Sequence, residues 1–177
     1  MTVPFYALSS QMFVPMLRSL SALLDKGAEY AEAKKFDPNV LASARLAPDM
    51  FPLTKQIQIA CDMAKGAAAR LTGNEPPKFE DNEQTIDELK ARIAKTIAYV
   101  ESVPESSFEG AETRQINFTL RDKMYLEADG LRYLKDWAIP HFYFHIVTAY
   151  DILRHNGVEL SKRDYLSHAG DIVKERS

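Results

Sequence analysis

Within the stretch from Trp137 to Val158 the residues predict a helix over about 139–156. Pro140 suits a first helical turn, where the amide hydrogen it lacks would be unpaired anyway. Gly157 follows the last periodic residue and can take the left-handed conformation that ends a helix. Phe142, Ile146, Ala149 and Leu153 mark the centre of the buried face. At about 100° per residue, His145 lies about 40° from Ala149 and His141 about 80° from it. The two imidazoles therefore sit on the inner side of the helix as neighbours, about 6 Å apart along its axis. His155 lies about 120° off and reads as a surface residue whose charge suits a helix C-terminus.

Three earlier stretches carry the same periodicity. Met12, Met16, Leu20, Leu23 and Leu24 recur at three- and four-residue steps and place a first helix over about 8–30, capped at Ser9 or Ser10 and kinked or delayed by Pro15. A second helix spans 47–72, with Pro48 near its start and a distortion at Pro52. Leu53, Ile57, Ala60, Ala64, Ala67 and Leu71 form its stripe, whose alanines let a neighbour approach closely. Asp49 and Gln56 fall on or beside that stripe and can face the interior. A third helix starts at a capping box, Thr85 to Glu88, continues through Ile86, Leu89, Ile93, Ile97 and Val100, and stops at Pro104. Asp81, Glu83, Asp87 and Glu88 read as the solvated start of this helix.

Residues 105–135 break the pattern. Ile116, Phe118 and Leu120 alternate with polar residues and predict a strand, paired through a turn at Arg121-Asp122 with a second strand over 123–127. A turn at Asp129-Gly130 follows, and beyond Ser161 one short helix and a charged end are expected. The expected fold is mainly all-α: an irregular four-helix bundle with a small β-hairpin inserted between helices three and four, forming one domain over 1–177.

Composition narrows the partners. A net charge of −3, with no long Lys/Arg cluster, argues against nucleic acid as a partner. No apolar run approaches the roughly 20 residues that span a bilayer. No basic-then-apolar secretory segment is visible at the start, so no membrane association and a cytoplasmic location are expected. Cys61, the one cysteine, excludes an intramolecular disulfide and reads as a small core residue in an Ala/Ile-rich helix.

Histidines at i and i+4 can reach one divalent cation from the side of a helix. No histidine precedes His141, so Asp49, Gln56 and Asp62 supply the available oxygens, with Asp49 and Gln56 better placed. Oxygen in place of imidazole shifts preference from zinc or nickel toward manganese, and a weakly bound metal or none is expected. The competing reading is an apolar cleft lined by Trp137, Phe142, Tyr143, Thr148 and Tyr150, which binds an unidentified small molecule or a second copy of the chain without metal. No Gly-x-Ser-x-Gly elbow or glycine-rich phosphate loop is present, and whether the chain is an enzyme stays open.

The wording His141-x-x-x-His145, with Leu153-Arg154-x-x-Gly157-Val158 after it, resembles the last bundle helix of the DinB/YfiT-like superfamily. The fuller stretch, together with Asp49-Met-Phe-Pro-Leu-Thr-Lys-Gln-Ile-Gln58, looks like one bacterial branch of unknown function. The resemblance implies a four-helix bundle, often a homodimer, with a metal between helices two and four. Thiol-dependent transferases and isomerases occur among its members. His141 and His145 match the two ligands of helix four, whereas the helix-two ligand, normally histidine, has no counterpart here.

Overall fold

The computed structural model describes residues 4–174. Residues 1–3 and 175–177, the latter the last part of the expected charged end, lie outside the described residues. Four long helices form the bundle: α1 Ser10–Lys34, α2 Leu53–Leu71, α3 Ile86–Ser102 and α4 Ile139–His155. Each of α1 and α2 packs against both α3 and α4, and these last two lie on opposite sides of the core. The contact between α2 and α4 is the most extensive, as the alanines of α2 allow: Ala60, Ala64 and Ala67 are all fully buried. Across the centre, Phe13 of α1 meets Phe142 of α4 edge to face at 4.8 Å.

Local chemistry explains most boundaries. Thr85 accepts from the Glu88 amide while the Glu88 carboxylate accepts from the Thr85 amide, so the capping box is formed at the start of α3. At the end of α4, Gly157 has φ +93° and Val158 donates to the Leu153 carbonyl, the six-to-one bond that closes a helix. A Cβ on Gly157 would stand 2.5 Å from the Tyr30 hydroxyl, so the glycine also makes room for α1. Pro15 sits inside α1 without ending it.

Other boundaries differ from expectation. Helix two begins at Leu53, not 47. Pro52 is its extended N-cap residue, so this proline delimits the helix instead of distorting it. Asp49 lies in the exposed turn ahead of α2, and the helical spacing read for it does not apply. Neither does Asp129-Gly130 form a turn that ends the hairpin. The Asp129 carboxylate accepts from the Arg132 amide and starts a helical turn, Gly130–Arg132, that runs through a π-helical stretch, Tyr133–Ala138, into α4. Pro140 does sit in the first turn of α4, as expected, although the chain reaches it already helical. It cannot donate to a carbonyl one turn back, and the wider π turn lies directly before the missing bond.

The hairpin is present, with β1 Gln115–Arg121 pairing antiparallel to β2 Met124–Asp129 and a register irregularity between Thr119 and Arg121. It survives as a two-stranded ribbon because it is packed. Ile116 is buried, and Phe118 meets the Tyr133 ring edge to face and the Arg70 guanidinium at 3.9 Å from its centroid. After α4, Ser161 and Asp164 cap the short helix Lys162–Tyr165, which lies against α1 and pairs Asp164 with Lys26 at 2.5 Å.

Candidate functional site

The histidine pair lies where α4 crosses the start of α2. His145 is 5% exposed, while His141, one turn earlier, is half-buried. Their ring centroids are 5.0 Å apart, with planes inclined by 35°. The Trp137 ring stands edge-on to His141 at 5.2 Å, one turn further back on the π-helical stretch. On the other flank Phe144 stands edge-on to His145 at 5.2 Å, with its own side chain largely in solvent.

From α2, Gln56 reaches across the helix interface. Its side chain is 2% exposed, and its Oε1 lies 2.6 Å from His145 Nδ1. The same amide donates from Nε2 to the Phe51 carbonyl at 3.0 Å. No hydrogen bond holds either ring nitrogen of His141 among the described residues. The indole N–H of Trp137 is likewise buried with no partner there, a spare donor beside the pair. Burial pushes His145 down to about 4, with the neighbouring His141 adding to the effect, and burial lowers His141 as well. Both rings are neutral near pH 7, which leaves lone pairs available to a cation or a hydrogen-bond donor.

The other candidates separate. Thr148 lies on the same face and is buried, but its hydroxyl donates to the Phe144 carbonyl at 2.7 Å. Tyr143 lies apart from the pair: on the helical period it points about 160° from His145. Its phenol lies near the C-terminal segment, where burial first and the Tyr143 phenol second disfavour ionisation of Tyr165. Tyr150 shares that side, with its ring 6.1 Å from that of Tyr165. Asp49 does not join the imidazoles, because no three His, Cys, Asp or Glu side chains gather as a metal-holding group among the described residues. Asp62 is engaged with Arg92 and Lys65. Cys61 is fully buried, and that burial pushes its thiol up to about 11, away from reactivity.

As donors for a divalent metal, the residues present supply two imidazoles and no third strong ligand. The pair fits one edge of a coordination shell. Gln56 bonds a ring nitrogen of His145, the place of an orienting group rather than a ligand.

One charged cluster escaped the sequence reading. Arg92 is 3% exposed and bonds Asp62, Asp81 and Glu83, joining α2, α3 and the loop between them. Asp81 and Glu83 are therefore ion-paired, not simply solvated. Burial works against the Asp81 carboxylate, yet Lys55 and then Arg92 hold it below the usual range. The signal was present, since Arg92 follows Leu89 by three residues and so falls on the buried stripe of α3.

A helical bundle with an inserted hairpin and a histidine pair facing α2 defines a DinB-like protein. The crystal structure of a DinB family member protein from Shewanella denitrificans is similar over 92% of this chain and 91% of that chain, at 48% identity and a TM-score of 0.85. Residues 5–166 match the family described as Domain of unknown function (DUF1993), and the chain belongs to that DinB-like family. No curated protein matches. No described helix is long and apolar enough to cross a membrane.

Proposed function

We propose that the working site of this chain is the cleft at His141 and His145, and that it takes one divalent cation weakly through these two imidazoles. The observation that carries the reading is the adjacency of two neutral rings, 5.0 Å apart, one of them oriented by a buried amide from the facing helix. A carbonyl-type acceptor on Nδ1 is what orients a metal-binding histidine elsewhere. A cation held there would act as a Lewis acid on an oxygen or sulfur ligand, at coordination positions the protein leaves unfilled. Which reaction this serves, the chain leaves unassigned. Elemental analysis of protein purified without an affinity tag tests the reading. Substoichiometric zinc, nickel or manganese that disappears in His141→Ala supports it, and metal content indifferent to both histidines refutes it.

A second reading has its own support. His145 already has a protein partner in Gln56, and the Phe144 ring, 58% exposed, stands against it. Such a surface suits a non-catalytic cleft for a small apolar ligand, or a homodimer that covers it. Sedimentation at micromolar concentration separates the dimer from the monomer, and a monomer only would reject the homodimer.

A further inference from the structure

The bond between His145 and Gln56 fixes a proton as well as a distance. The Phe51 carbonyl has only lone pairs to offer, so the end of the Gln56 amide that meets it at 3.0 Å must be the NH2. The opposite end, Oε1, is then the atom 2.6 Å from His145 Nδ1. An amide oxygen has no hydrogen to give, so Nδ1 carries one and donates it. A neutral imidazole has a single N–H, which leaves Nε2 as a bare lone pair. Flipping the amide would set oxygen against oxygen at Phe51 and is closed off.

We infer that Gln56 is a positioning residue that holds His145 in its Nδ1–H tautomer and thereby selects the class of ligand the cleft takes: a cation or a hydrogen-bond donor at Nε2, and not an anion. The inference rests on the reading of this cleft as the functional site. The anchoring is built into the chain. Phe51 precedes Pro52, and the first amides of α2 bond other carbonyls, with Leu53 donating to Ala44 and Gln56 to Pro52. The Phe51 carbonyl is thus left for the Gln56 side chain. Gln56 and His145 are 2% and 5% exposed, so water competes little for either bond.

Nitrogen-15 NMR of the wild-type protein near pH 7 decides the assignment. His145 is expected to show a protonated Nδ1 and an unprotonated Nε2. Gln56→Leu, which removes the acceptor, is expected to move the ring to the Nε2–H tautomer. A wild-type His145 protonated at Nε2 alone, or a Leu variant that keeps Nδ1–H, overturns the inference. If the Leu variant does not fold, the wild-type spectrum alone still decides it. Zinc chloride added to wild type is expected to shift Nε2 while the Nδ1 proton stays, and sodium sulfate to shift neither. Zinc that strips the Nδ1 proton, or sulfate that shifts Nε2, overturns the ligand class. If His145 keeps Nδ1–H but ignores zinc, the metal reading of the cleft fails while the tautomer assignment is upheld.

Discussion

His145 and His141 share a helix face but not an environment, and the difference is measurable in stability. Replacing the buried His145 by Ala leaves a cavity and strands the Gln56 oxygen, at a cost of about 1–3 kcal/mol. Removing the half-buried His141 costs less, and equal melting temperatures for the two variants would contradict the burial assignment. Titration gives a second readout. His145 is held near 4 in the fold against 6.5 unfolded, so between these values the unfolded chain binds more protons. Stability therefore falls as pH drops from about 6.5 to about 4, and the loss is complete below that. His145→Gln should flatten the slope in this window when melting temperature is followed against pH. The acid loss from Asp164, whose carboxyl Lys26 and Ser161 hold at about 2, sets in from about pH 5 downward, but wild type and variant share it, so it cancels in their comparison. At this scale, periodicity made His141 and His145 legible because a helix face needs only one element. The Phe51 carbonyl bonded by Gln56 was not legible, since it depends on where α2 begins.

Among the elements, α3 and the closure of α4 could be read residue by residue, because capping boxes and terminal glycines act through bonds within a few residues. The join between hairpin and α4 could not. A Cβ on Gly130 would lie 1.8 Å from the Ala111 carbonyl oxygen, a contact between segments 19 residues apart in sequence. Gly130→Ala should therefore destabilise the protein by about 2–4 kcal/mol, although the backbone there is helical and alanine favours helices. Denaturant unfolding checks this, and an unchanged midpoint would show that the segment around Ala111 yields without loss. The strap between α2 and α3 is a comparable case. Arg92→Ala takes the shared cation from Asp62, Asp81 and Glu83, but the first two keep Lys65 and Lys55 and are 35% and 39% exposed, so the cost should be about 1–3 kcal/mol. Arg92→Lys should recover only part of it, since one ammonium cannot reproduce the planar fork. Full recovery in thermal unfolding would show that charge alone, and not geometry, ties the strap.

For the molecule as a whole, four amphipathic stripes and one alternating segment were enough to read the bundle and its hairpin, because each stripe must bury itself against another. The candidate site was half legible. The imidazole pair and Gln56 come together as their faces imply, whereas Asp49 is left in an exposed turn and Tyr143 lies near the C-terminal segment. With two neutral imidazoles and an orienting amide, the site is poorer in strong donors than a three-ligand catalytic centre. Calorimetric titration of zinc into metal-stripped wild-type protein near pH 7, beside His141→Ala and His145→Ala, bears most directly on this account. It predicts weak uptake of at most one zinc per chain, abolished in both variants and weakened as the pH falls toward 6. Tight one-to-one binding, or uptake that either variant leaves unchanged, would contradict it.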